Sequence, residues 1–169
     1  QRVLQRIATA AATATAFTPE QQEQMKEGET VFKSLCVTCH GEDARGVAVA
    51  GATDGSMMGP ALAGSPRVQG HRDYVIKTLL HGMTGPIDGK SYAEVMIPMG
   101  GNPDEWVADI ATFVRANFGN NAPAITPDDV ARVRKATAAR KTPTPGRRAR
   151  SRRASSRAPS TRSGTARAM

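Results

Sequence analysis

The chain has only two cysteines, Cys36 and Cys39, and a histidine follows the second directly, giving Cys36-Val37-Thr38-Cys39-His40. Two thiols are too few for a disulfide framework, so stability has to come from a core and the cysteines are left for chemistry. The pattern C-x-x-C-H is the attachment signature of c-type haem. Thiols three positions apart on a helical turn can each add to a haem vinyl group, and the adjacent imidazole of His40 then falls under the iron as proximal ligand. A chain built this way has to fold around a planar cofactor. Two other chemistries use similar residues. A redox dithiol expects a βαβ setting, and strand signals are almost absent here. A small zinc-binding module would combine Cys36 and Cys39 with two of His40, His71 and His81, but the histidine spacing is irregular. His71 and His81 read as surface or helix-end residues.

Iron bound through imidazole needs a second axial group, and a thioether sulfur raises the reduction potential relative to harder donors. Of the seven methionines, Met96 lies in the run Tyr92-Ala93-Glu94-Val95-Met96-Ile97-Pro98, just before the strongest helix signal, where a loop can fold back over the open haem face. Met99 is the alternative. Met57 and Met58 read as loop packing and Trp106 as core.

Helices dominate the periodicity. Thr18, Pro19 and Glu20 supply an N-cap, a proline at the first helical position and an acid in the first turn. The helix they start is expected to run to about Cys36, burying Met25, Val31, Phe32 and Leu35 as one stripe. From Gly41 to Gly70 the composition is that of loop. A second helix fits Arg72 to Leu80. Asn102, Pro103 and Glu105 predict another start, with Asn102 as N-cap, and Trp106, Val107, Ile110, Phe113 and Val114 recur at helical steps towards a C-cap at Gly119. Thr126, Pro127 and Asp129 announce a last, short helix carrying Val130 and Val133.

The formal charge of +8 is unevenly distributed. Residues 1–129 hold 10 basic and all 15 acidic residues, a net −5, whereas residues 130–169 hold 13 basic residues and no acid. The basic character belongs to a tail, so no specific nucleic-acid partner is expected and membrane association is left open. From Thr142 onward only Arg, Ser, Ala, Pro, Thr and Gly occur before Met169, a composition that predicts disorder. The Ala-rich span from Val3 to Phe17 is interrupted by Gln5, Arg6 and repeated Thr, and reads as helix rather than export signal. The expected organisation is therefore an N-terminal linker or the end of an upstream helical region at 1–17, a haem domain at 18–120, a helical extension at 121–139 and a disordered tail at 140–169.

Beyond the motif, these residues resemble the class I cytochromes c. Gly28, Phe32 and Cys36 have that family's glycine, aromatic and first-cysteine spacing. Ile110 and Phe113 resemble the pair that its C-terminal helix presents where it crosses the first helix at the glycine. Gly59-Pro60-Ala61-Leu62 is similar to its Gly-Pro-x-Leu loop. The likeness covers about residues 18–120. It implies an all-α fold of about three to five helices around one covalent haem c, with Pro60 and Leu62 in the haem pocket and the Pro60 carbonyl accepting the His40 Nδ1 proton. More narrowly, the run from Asp104 to Asn120, ending Phe118-Gly119-Asn120, and the segment Val130, Arg132, Val133 and Arg134 are similar to C-terminal haem domains of bacterial periplasmic dehydrogenases. In those the distal ligand lies in a short Met-and-Pro run, which favours Met96, although the doubled Met-x-Pro-Met keeps Met99 open. The resemblance implies an electron carrier rather than an enzyme, served by a fused or associated dehydrogenase and located in the periplasm. An open sixth site suited to peroxidase chemistry or gas binding is the competing expectation.

Overall fold

The computed structural model describes residues 17–146. Nearly all of the expected linker at 1–17, and the expected tail from residue 147, lie outside the described residues.

Helix α1, Pro19–Val31, begins with a reciprocal cap in which Thr18 Oγ1 accepts from Gln21 N–H at 3.2 Å while Gln21 Oε1 accepts from Thr18 N–H at 3.0 Å. It does not continue regularly to Cys36. Phe32–Cys36 forms a π-helical turn, with Val37 N–H reaching back to Phe32 O, and α2, Val37–His40, closes the segment. The wider turn alters the phase of the helix. Phe32 is buried as expected, but Leu35 is 54% exposed, which corrects the stripe drawn for a regular helix.

A single turn, α3 (Pro66–Gln69), interrupts the expected loop after a Ser65-Pro66 start. Next come α4, Arg72–His81, and a two-residue strand β1, Met83–Thr84. The longest apolar helix, α5, spans Asp104–Ala116. Its start differs from the capping expected of Asn102, whose side-chain amide donates to Met99 O at 3.0 Å and so secures the preceding turn. Its end comes before Gly119, because the Asn117 amide closes on Phe113 O at 2.9 Å and Phe118 turns left-handed, φ 59°. Helix α6, Pro127–Ala136, carries the expected Thr126 cap, here a capping box with Asp129.

The core forms where α1 crosses α5. The helices meet so closely at Gly28 that a Cβ there would lie 2.7 Å from Phe113 Cβ. Phe32, Phe113 and Phe118 pack beside this crossing with ring centroids 5.0–5.5 Å apart. Val130 and Val133 of α6 extend the same core. Arg134 then fixes the turn ahead of α5, pairing with Asp104 at 2.7 Å and donating to Asn102 O at 2.8 Å and to the Gly100 carbonyl.

Residues 140–146 correct the disorder expected from residue 140. Strand β2, Thr144–Pro145, pairs in parallel with β1, and Thr144 is buried with its hydroxyl on Lys77 O at 3.0 Å. Backbone pairing needs no apolar side chains, so composition gave no sign of it.

Candidate haem site

The π turn and α2 hold the C-x-x-C-H residues on one continuous helical path. Wide turns of this kind recur at functional sites because they rotate side chains off the regular spiral. Gly41 ends α2 at φ 77° and sends the chain into the loop. That loop returns at Gly59, which packs tightly on the haem-binding segment, since a Cβ there would lie 3.1 Å from Cys39 O and 3.4 Å from His40 Cε1. The return delivers Pro60, whose carbonyl oxygen stands 2.8 Å from His40 Nδ1, the pair of atoms that the resemblance brings together. A carbonyl only accepts, so Nδ1 carries the proton and Nε2 is the nitrogen with a lone pair to offer. Burial pushes the His40 pKa below its ordinary value, only partly opposed by the Pro60 bond, so the ring is neutral and suited to bind a metal. Burial, with a smaller contribution from Cys39, pushes the Cys36 thiol up to about 11. Both cysteines are half-buried and free.

Beside these groups lies a cavity of about 1100 Å³. That is slightly above the range of roughly 300–1,000 Å³ usual for ligand sites, as a large planar cofactor requires. Cys36, Cys39, His40, Pro60, Leu62, Met96 and Met99 all line it. The structure therefore gathers every sequence-selected site residue around one space. The donor set suits haem c: two thiols, one oriented imidazole and thioether sulfurs among apolar walls.

Another wall of the cavity comes from the run that precedes α5, which the sequence reading expects to carry the second iron ligand. Met96 and Met83 exchange backbone hydrogen bonds at 3.0 and 3.2 Å, and Met99 N–H donates to Leu79 O at 2.8 Å. Val95 and Ile97 are 62% and 63% exposed while Met96 between them packs against the core, so this extended stretch turns the Met96 side chain inward. Met99 also packs against the core. Trp106, expected in the core, is half-buried on the cavity wall.

His71 and His81 take no part. His71 Nδ1 accepts from Asp73 N–H at 3.2 Å as the N-cap of α4, and His81 at the other end meets the Thr137 hydroxyl at 2.7 Å. Among the described residues no group of three or more His, Cys, Asp or Glu is placed to hold a metal ion, so the residues of the zinc alternative are not brought together.

Polar residues missed by the sequence reading also line the cavity. Arg67, its side chain 10% exposed, donates to Asp88 at 3.1 and 2.6 Å and to Tyr74 Oη at 3.0 Å, and Tyr74 O–H in turn donates to Met83 Sδ at 3.6 Å. One turn beyond Tyr74, Thr78 is buried with no partner for its hydroxyl. The available signal was a polar pair at i, i+4 within the apolar face of α4.

Comparison with known proteins agrees with this chemistry. The sequence profile of the cytochrome c family matches residues 25–118. The chain is similar to the gluconate 2-dehydrogenase cytochrome c subunit of Pantoea cypripedii, 30% identical over 145 residues that cover 79% of this chain and 32% of that protein. It is also similar to the cytochrome c subunits of quinone alcohol dehydrogenases from Gluconacetobacter polyoxogenes and Komagataeibacter europaeus, each 29% identical over 117 residues, 66% of this chain and 23% of the relative. The chain thus spans about a third or less of the length of these relatives.

Proposed function

This chain belongs to the cytochrome c family and carries electrons on covalently attached haem c, and on that premise we propose the residues that hold the haem and the kind of protein it serves. Cys36 and Cys39 would hold the haem through two thioethers, each sulfur bonding to one vinyl carbon while the thiol hydrogen goes to the other. His40 would offer its Nε2 lone pair to the iron, held in orientation through Nδ1 and the Pro60 carbonyl. Met96 would supply the second protein ligand, supported by its inward direction between exposed Val95 and Ile97. The haem, once bound, exchanges single electrons between its ferric and ferrous states. Leu62 and the apolar wall keep water from the ligands, and the exposed rim formed by Leu35, Val95 and Ile97 admits a redox partner.

The dehydrogenase subunits among the relatives support a fused or associated dehydrogenase as electron donor, and an extracytoplasmic, periplasmic location as the place of work. Residues 18–120 are the haem domain, with 121–139 as its helical extension. The observation that carries this reading is the oriented, neutral His40 imidazole beside two thiols at the edge of a haem-sized cavity.

The test is to mature the protein with a haem-attachment system and record its pyridine haemochrome and ferric spectra. Pigment that resists acidified acetone, and a sulfur-to-iron charge-transfer band lost in Met96→Leu but kept in Met99→Leu, are expected. Pigment extracted by the acid overturns the attachment. Loss of the band in Met99→Leu alone moves the ligand to Met99, and rapid carbon monoxide binding by wild type restores the open-site alternative.

A further inference from the structure

We propose that residues 140–146 form a strap that pins the backbone carrying Met96, positions the second iron ligand and keeps the sixth coordination position closed to outside ligands. The inference rests on the reading above that Met96 is that ligand.

The segment from Tyr92 to Met99 is tied at both ends, by Ala93 N–H on Met57 O at 2.9 Å and by Met99 N–H on Leu79 O at 2.8 Å. Over Met96 itself the backbone partner is Met83, whose N–H and carbonyl both bond to Met96. Strand β1, which contains Met83, is only two residues long, and so short a ladder holds only with a further strand or packing behind it. The strap supplies that strand. On the opposite edge of β1, Thr144 N–H donates to Gly82 O at 2.9 Å and Gly146 N–H donates to Thr84 O at 3.0 Å, so the residues on either side of Met83 are both held. Thr144, Met83 and Met96 thus form one row across three segments of chain.

The strap is itself anchored. As the chain leaves α6, the Arg140 guanidinium donates to Thr142 O at 2.9 Å and to Pro143 O at 3.2 Å. Thr144 is 5% exposed, with its hydroxyl on Lys77 O of α4. Gly146 packs so closely that a Cβ there would lie 3.0 Å from Ile87 Cγ1 and 3.1 Å from Gly85 O, and both residues line the cavity. Gly82 carries the contact to the other side, since a Cβ there would meet the Met96 carbonyl and lie 3.0 Å from Pro98 N. Drawing Met96 away from the cavity therefore requires β1 to move against an anchored neighbour. The strap lies beyond residue 118, where the match to the family profile ends, so it is an addition to the matched region.

An outside ligand reaches the iron only in molecules whose Met96 segment has opened, and its apparent affinity scales with that open fraction. Each net hydrogen bond lost from the closed form raises the open fraction by about fivefold. Thr144→Pro removes both the N–H that bonds Gly82 O and the hydroxyl that bonds Lys77 O. Thr144 acts through Met83 and is a positioning residue.

The test titrates the full matured ferric protein with imidazole, beside Thr144→Pro and Thr18→Ala. Thr18→Ala loses the cap of α1 and weakens the fold as a whole without touching the strap. Thr144→Pro is expected to bind imidazole about tenfold more tightly, at about fivefold for each bond, while Thr18→Ala binds as wild type does. An unchanged affinity in Thr144→Pro, or an equal rise in both variants, overturns the strap's role. Should Thr144→Pro not be recovered with haem, amide hydrogen exchange of the unaltered holoprotein decides. Saturating imidazole is expected to speed exchange of the Met83, Met96, Thr144 and Gly146 amides together, and acceleration that spares Thr144 and Gly146 overturns the coupling. A wild-type spectrum without the sulfur-to-iron band, or loss of that band in Met99→Leu alone, overturns the ligand assignment and this inference with it. That failure is told apart because it is seen with the strap intact.

Discussion

Replacing Gly28 with alanine tests the helix crossing on which the site is built. A Cβ at that position would fall against the Asp109 carbonyl oxygen and 2.7 Å from both Asp109 C and Phe113 Cβ. Carbon atoms prefer about 3.5–4.0 Å, so the deficit is about 1 Å. None of these atoms is the end of a flexible side chain, and relief requires α1 and α5 to move apart. Overpacking of this kind costs about 1–3 kcal/mol, and the rigid contact puts the cost at the upper end. Alanine recovers about 1 kcal/mol of helix propensity relative to glycine. The net loss is about 2 kcal/mol. For a domain of about 130 residues, 1 kcal/mol corresponds to about 4 °C, so the holoprotein should melt about 8 °C lower by circular dichroism. Gly101→Ala is the control, because nothing lies within 4 Å of its Cβ position and its backbone is not left-handed. It should melt at or slightly above the wild-type temperature. A Gly28→Ala protein as stable as wild type would refute the claim that this crossing requires backbone-to-backbone contact.

Two further outcomes concern the outer elements. The Arg132 hydrogen bond and charge hold the Asp73 carboxyl below its ordinary pKa, outweighing its partial burial. Because the folded value lies below the unfolded one, about 3.9, this pair contributes fully above about pH 4 and its contribution is lost as pH falls through the folded value. Asp73→Asn should therefore be less stable than wild type in urea at pH 7, with the gap closing below pH 4; a gap independent of pH contradicts the assignment. A chain cut after Arg140 loses the bonds from Thr144 to Lys77 O and Gly82 O and from Gly146 to Thr84 O. It should be about 2 kcal/mol less stable to urea than a chain cut after Gly146, at net hydrogen-bond values of about 0.5–1.5 kcal/mol each. Equal midpoints would show that β2 adds nothing to the fold.

What sequence alone disclosed, and what it hid, follows from how far each feature reaches along the chain. The C-x-x-C-H chemistry occupies five consecutive residues, and the Thr18 and Thr126 caps act within one turn, so both are legible without three-dimensional knowledge. Gly28 and Phe32 are also legible as neighbours one turn apart, because a periodic helix converts spacing into a shared face, whereas their spacing to Cys36 is legible only through the family resemblance. The π turn between Phe32 and Cys36 escapes such reasoning, since one extra residue per turn leaves no mark in residue type, and Leu35 is misplaced as a result. Asn102 reads as a cap because its side chain suits one, yet the competing acceptor, Met99 O, is equally local and wins. Residues 140–146 are ordered by a backbone pairing with Met83 and Thr84, more than fifty residues away, which no composition encodes. The proposed second iron ligand lies between these extremes. Met96 and Met99 are three residues apart in one segment, and only the alternation of exposed Val95 and Ile97 about Met96 distinguishes them. Thr78 is likewise plain in residue type, but that its buried hydroxyl meets no partner among the described residues is visible only in the fold, because burial and pairing depend on elements distant in sequence.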